Sequence, residues 1–140
     1  MYIDDFLVLS DAQAITLTTD STNYIDTLAA GWAENDEVYA KFQVDTLFAG
    51  TAGTTIQLAI QIAQDVAFAT LITVATYNLA LASATAGAVP FIVKLPSNLV
   101  TTGYRYIRAY YTVTTSGSLT AGKIDCRLVK DVDVLLNKVL

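Results

Sequence analysis

Thr55 to Gln64 reads TIQLAIQIAQ, and the fold class turns on which of these residues share a side. Ile56, Leu58, Ile60 and Ile62 recur at every second position, opposite Gln57, Ala59 and Gln61. Successive residues of a strand point to opposite faces, whereas a helix would set Ile56 and Leu58 on different sides. The segment therefore reads as a half-buried β-strand. Upstream, Glu37 to Val44 (EVYAKFQV) repeats the pattern, with Val38, Ala40, Phe42 and Val44 on one face and Glu37, Tyr39, Lys41 and Gln43 on the other. Between the two lies TLFAGTAGT, where Gly50 and Gly53 mark a turn.

Further strands follow downstream. Leu71 to Tyr77 (LITVATY) is rich in β-formers, and Val89 to Leu95 (VPFIVKL) carries Pro90 near its start, where a missing N–H is tolerated. Pro96, Ser97 and Asn98 then break the chain. Tyr104 to Thr114 (YRYIRAYYTVT) is the strongest alternating run, with Ile107, Ala109, Tyr111 and Val113 as its core face. After a turn at Ser116, Gly117 and Ser118, Lys123 to Lys130 (KIDCRLVK) turns Ile124, Cys126 and Leu128 inward, with Gly122 at a bulge or tight entry. Few segments read as helix. Gln64 to Ala69 is a short helix or a packed surface turn, and Asn78 to Ala86 has room for one helical turn. About eight strands separated by turn signals predict an all-β antiparallel sandwich. No composition break divides residues 1–140, so one domain is expected.

The two ends differ from the middle. Phe6, Leu7, Val8 and Leu9 form an apolar run within residues 1–10, and residues 131–140 read DVDVLLNKVL. In the latter, Val132, Leu135, Leu136 and Val139 fit helical spacing, while Val132, Val134 and Leu136 fit strand spacing. Exposed contiguous apolar surface is sticky, so such ends either pack on their own domain or act as arms that dock on a neighbour.

Composition excludes several function classes. The chain has no histidine, which removes serine–histidine and cysteine–histidine nucleophiles and imidazole metal sites. Eight basic residues stand against thirteen acidic ones, for a net charge of −5. Phosphate binding needs clustered Lys and Arg, so neither nucleic acid nor an anionic membrane is an expected partner. Asp4 and Asp5 stand where a signal peptide would need positive charge, and none is expected. Val66 to Val93 contains no charged residue, but Asn78, Ser83, Gly87 and Pro90 interrupt it, which argues against a spanning helix.

No spacing among Asp4, Asp5, Asp20, Asp26, Asp45, Asp65, Asp131 and Asp133 specifies the paired acids of a glycosidase. Asp131 and Asp133 alone do not supply the six to eight oxygens that calcium takes. Cys126 alternates with Ile124 and Leu128, which suits a buried small hydrophobe rather than a reactive thiol. The sequence therefore predicts no catalytic residue, no metal and no cofactor. The most informative surface is the other face of YRYIRAYYTV, where Tyr104, Tyr106, Arg108 and Tyr110 alternate. Tyr and Arg are enriched at interface hot spots. A cross-strand ladder covering the sheet accounts for the same pattern, and the two readings are compatible.

The order LSDAQAIT (Leu9–Thr16), STNYIDT (Ser21–Thr27), YAKFQVD (Tyr39–Asp45), IQLAIQIAQDVAFAT (Ile56–Thr70), YRYIRAYYTV (Tyr104–Val113) and TAGKIDCRLVKDV (Thr120–Val132) resembles the jelly-roll capsid cement (decoration) proteins of tailed bacteriophages. That resemblance implies a jelly-roll β-sandwich without enzymatic activity. It implies a protein made in the host cytoplasm that binds the outer surface of the phage head and bridges major capsid protein subunits. It further implies a homo-oligomer, with a dimer favoured. The partner-binding residues expected on this reading are Tyr104, Tyr106, Arg108 and Tyr110, with Phe6, Leu7, Leu9, Leu135, Leu136 and Val139 from the ends. The apolar VLLNKVL terminus departs from the family pattern. The competing reading is a carbohydrate-binding sandwich module of a tail or adhesion apparatus, in which Tyr104, Tyr106 and Tyr110 stack on sugar rings. Trp32, the one tryptophan, falls in an expected loop. A small hydrolase is the third class and needs a paired-acid cleft.

Overall fold

The alternating segments pair into two antiparallel sheets in the computed structural model, which describes residues 8–26, 38–95, 103–114 and 119–129. The strands among the described residues are β1 (Val8–Ala14), β2 (Thr19–Asp20), β3 (Ile25–Asp26), β4 (Tyr39–Gly50), β5 (Thr55–Ala63), β6 (Leu71–Ala80), β7 (Phe91–Lys94), β8 (Tyr106–Thr114) and β9 (Leu119–Val129). One sheet has the order β1-β9-β4-β7 and the other β2-β8-β5-β6, with β3 also pairing β8. Counting β2 and β3 as one interrupted strand gives eight strands in two four-membered sheets. This interleaving, with sequence neighbours crossing between sheets, is the jelly-roll arrangement.

The core is built from the faces that alternation selects. Val38, Ala40, Phe42 and Val44 of the β4 segment are buried, as are Ile56, Leu58, Ile60 and Ile62 of β5, Ile107, Ala109 and Tyr111 of β8, and Ile124, Cys126 and Leu128 of β9. Full burial of one such aliphatic side chain contributes about 2 kcal/mol. A row of rings crosses the sandwich: Tyr77 stacks on Phe91 at 5.5 Å, Phe91 on Phe42 at 5.8 Å, and Phe42 meets Tyr111 edge-on at 6.1 Å.

One local expectation is corrected, one open choice is resolved and one expected helical turn is found. β4 does not stop at Val44 but runs on to Gly50, because three irregular steps in its pairing with β9 keep it in the sheet, and Phe48 is buried. The close approach there requires Gly122: its φ is +138° and the Phe48 ring occupies the place a Cβ would take. Gln64 to Ala69 forms the turn rather than the helix. Asn78 to Ala80 extends β6, and only Leu81–Ser83 coils, as a short 3-10 turn. The uncharged stretch from Val66 to Val93 thus supplies a loop, an edge strand and β7, and no helix among the described residues is long and apolar enough to cross a membrane.

Leu9 is also reassigned. The sequence groups it with the apolar N-terminal end as a docking residue, yet its side chain is fully buried in the core cluster. Val8 faces Arg127 and Ser10 faces Cys126, so Leu9 is the extra residue of a bulge in β1, and the bulge lets both Leu9 and Ser10 be buried. Phe6, Leu7, Leu135, Leu136 and Val139 lie outside the described residues, as do Trp32, Asp4, Asp5, Asp131 and Asp133.

Candidate functional site

Strand pairing sets up the outward face of the β8–β5 sheet. Tyr106, Arg108 and Tyr110 of β8 stand opposite Ala63, Gln61 and Ala59 of β5. The small residues leave space that the large ones fill. Consequently Ala63 and Ala59 are buried although they point away from the core, and Gln61 is only 9% exposed. The polar side of TIQLAIQIAQ is therefore not a solvated face but the floor of an aromatic–arginine layer.

Arg108 is the centre of that layer. Its Nε donates to Gln61 Oε1 at 2.9 Å and its Nη1 donates to Asp20 Oδ2 at 3.2 Å. Its guanidinium lies 4.3 Å from the centroid of Phe68 and 5.2 Å from that of Tyr110. Cation–π contacts of this kind contribute about 0.5–2 kcal/mol each, more as water is excluded. The Arg108 side chain is only 16% exposed, so its orientation is fixed before any partner arrives.

Phe68 reaches the site from the β5–β6 turn, and Asp65 builds that turn. The Asp65 carboxylate accepts the backbone N–H groups of Ala69 and Thr70, each at 3.1 Å, and its carbonyl accepts that of Phe68 at 3.1 Å. The bonds from Thr70 and then Ala69 hold the Asp65 carboxyl below its ordinary pKa. Phe68 itself has φ +56°, a left-handed conformation that costs an L-residue about 1–2 kcal/mol. That strain places the ring under Arg108, where it is buried and meets Tyr24 edge-on at 6.5 Å. Tyr24, half exposed, also meets Tyr106 edge-on at 5.9 Å.

A second arginine extends the layer. Arg105 forks onto Asp26, with Nε to Oδ1 at 2.9 Å and Nη2 to Oδ2 at 2.7 Å, and lies 5.0 Å from the Tyr106 ring centroid. The Asp26 carboxylate raises the Arg105 pKa further. Bidentate pairs fix geometry as well as charge.

The patch is wired to the core. Ser10 Oγ donates to Gln13 Oε1 at 2.7 Å, and Ser10 Oγ and Tyr111 Oη are also 2.7 Å apart. Ser10 has one hydroxyl proton, so Tyr111 is the donor in that second bond. Gln13 Nε2 then donates to the Asp20 carbonyl at 2.9 Å, and the Asp20 carboxylate receives Arg108.

Of the expected surface residues, the fold brings together Tyr106, Arg108 and Tyr110. Tyr104 precedes β8 and packs, half-buried, against the core cluster, so it leaves their row. Sequence reasoning missed Tyr24, Phe68, Arg105 and the anchoring groups Gln61, Asp20 and Asp26. Only the acid, aromatic and small residues of QDVAFA hinted at a built turn.

The remaining chemistry-bearing groups have local explanations. Cys126 is buried and its thiol is pushed well above the usual range by that burial. Burial likewise pushes the Tyr111 phenol up. Asp11 pairs with Arg127 at 3.3 Å, and Asp125 lies 3.7 Å from the same guanidinium. Among the described residues no three His, Cys, Asp or Glu gather as a metal-binding group.

A protein-family model described as Bbp16 matches residues 9–128, most of the chain and all of the candidate site. No curated protein matches it.

Proposed function

The chain belongs to the Bbp16 family, and on that premise we propose that it is a non-enzymatic cement protein of a tailed-phage head, binding the outer capsid surface and bridging major capsid protein subunits. The observation that carries the reading is the rigid aromatic–arginine layer: Arg108 held between Phe68 and Tyr110 and tied to Gln61 and Asp20. Hot spots of protein interfaces are of this composition, and a preset side chain loses little entropy on docking. The resemblance of the sequence to phage cement proteins names the partner. Modest contacts per copy, repeated over a lattice, hold by avidity. The net charge of −5 keeps the outer face from attracting DNA.

Sugar stacking is less well served. Tyr24 meets Phe68 and Tyr106 at 71° and 66°, so these rings offer edges rather than one flat platform.

The test is co-sedimentation of the purified chain with heads assembled without it. Arg108→Ala and Tyr106→Ala are each expected to weaken binding by about tenfold or more, at the level of an interface hot spot, with an unchanged far-UV spectrum. Absence of any binding by the parent chain rejects the cement role. Unchanged binding by both variants rejects this patch as the contact.

A further inference from the structure

The outer face of the sheet β2-β8-β5-β6 extends well beyond the aromatic–arginine layer. Tyr110 faces Ala59 and Ala59 faces Thr76, while Thr112 faces Gln57 and Gln57 faces Asn78. Alternate residues of a strand share a side, so Thr112, Gln57, Asn78 and Thr76 continue the face on which Tyr106, Arg108 and Tyr110 stand. Thr76 and Asn78 are exposed.

This face carries almost no charge. β5 (TIQLAIQIA), β6 (LITVATYNLA) and β8 (YIRAYYTVT) contain one charged residue between them, Arg108. The opposite sheet differs: β4 and β9 alone hold Lys41, Asp45, Lys123, Asp125 and Arg127. Depletion of charge with tyrosine and arginine retained is the composition of an interface core, not of a solvated surface. The arginines do not alter the balance. Arg108 is tied to Asp20 and Arg105 to Asp26, so each guanidinium is offset within the fold. Asp20 is 52% exposed beside Arg108. An incoming carboxylate therefore meets an acid, and an incoming ammonium meets a guanidinium. Hydroxyls and amides, in contrast, both donate and accept hydrogen bonds and carry no charge to oppose.

We propose that this whole face is the docking surface, and that it fits an uncharged protein surface of backbone carbonyls, amides and hydroxyls set among apolar side chains. The inference rests on the capsid reading and adds to it the extent of the contact and the chemistry of the partner. The aromatic–arginine layer is the hot spot at one end, and the threonine and amide rows flank it and exclude water. The size suits modest contacts per copy. Four strands about 4.8 Å apart, nine residues long at about 3.4 Å each, outline roughly 600 Å², below the ~800 Å² per partner of a standard interface. Docking through such a face is insensitive to salt, because screening has no unpaired charge to act on.

The test is co-sedimentation of the full chain with heads assembled without it, from about 0.05 M to about 0.5 M sodium chloride, over which the parent affinity should change less than about threefold. Thr76→Lys and Asn78→Lys, made singly and outside the aromatic–arginine layer, should each weaken binding by about tenfold or more, because docking buries an unpaired ammonium. Asn78→Gln, and Lys123→Gln on the opposite sheet, should bind within about twofold of the parent. A larger salt effect on the parent, or parent-like binding by both lysine variants, overturns the proposal and leaves the cement reading standing; a parent chain that binds no heads removes both. Lysine variants that bind heads normally but disperse an oligomer of the free chain in sedimentation equilibrium assign the face to a second copy and also overturn it. If the far-UV spectrum shows that a lysine variant misfolds, the salt series on the parent decides alone.

Discussion

Replacing Tyr111 by phenylalanine should cost less than replacing Ser10 by alanine, and the two changes should partly cancel. Both residues are fully buried, 101 positions apart in sequence, and joined at 2.7 Å across the two sheets. Tyr111 is the donor, because the Ser10 proton is committed to Gln13. Tyr111→Phe removes one hydrogen bond and leaves Ser10 still bonded to Gln13, a loss of about 1 kcal/mol. Ser10→Ala instead leaves the Tyr111 hydroxyl buried with no acceptor, a loss of about 2 kcal/mol. Gln13 does not add to this, since its Oε1 keeps the Thr22 N–H at 2.9 Å. In the double variant no stranded donor remains, so it should sit only about 1 kcal/mol below the parent. The coupling energy is then about 2 kcal/mol, within the range for contacting residues. Urea denaturation followed by far-UV circular dichroism measures all four corners, with m unchanged if the native and unfolded states are otherwise alike. Equal cost of Tyr111→Phe in the parent and in the Ser10→Ala background would refute the assigned donor direction and the role of this bond.

Gly122→Ala should destabilise by about 3 kcal/mol or more, from a positive φ and overlap with Phe48 together; trimming the ring with Phe48→Leu should restore only part of it, as read by thermal melting. Stability should also fall in alkali. Burial keeps the Cys126 thiol and the Tyr111 phenol protonated in the fold beyond their unfolded values, whereas the unfolded chain releases these protons near pH 8.5 and 10. Their contribution is intact below about pH 8 and declines above it, by up to about 1.4 kcal/mol per pH unit for each group; Cys126→Ala should remove the earlier decline in a denaturation series run from pH 7 to 10.5. Asp65→Ala should speed amide exchange at Ala69 and Thr70, whose N–H groups lose their acceptors, and should weaken head binding without touching the patch directly, because Phe68 loses its mount; unchanged exchange at both amides would contradict the turn as described.

The β-sandwich was legible in the alternation, because a strand that buries one face must alternate, whereas the jelly-roll strand order was implied only by the resemblance. Ile56, Leu58, Ile60 and Ile62, and Ile107, Ala109 and Tyr111, went inside as their spacing required. The outward row was legible to the same degree. Tyr106, Arg108 and Tyr110 share a face whatever strand lies beside them, whereas Tyr104 left the row because β8 begins only at Tyr106. Leu9 reads as part of a sticky end in the sequence, and only the bulge between the Val8–Arg127 and Ser10–Cys126 pairs of β1 and β9 makes it core.

Local sequence thus determined which residues form strands and which face of each strand is apolar, since two-residue periodicity is a property of the backbone itself. Tertiary structure alone decided that Phe68 lies under Arg108, that Asp20 and Gln61 hold the guanidinium, and that β6 is left at an edge. Those facts depend on which strands become neighbours, and register between segments tens of residues apart is set by the packing of the whole core rather than by any one stretch of chain.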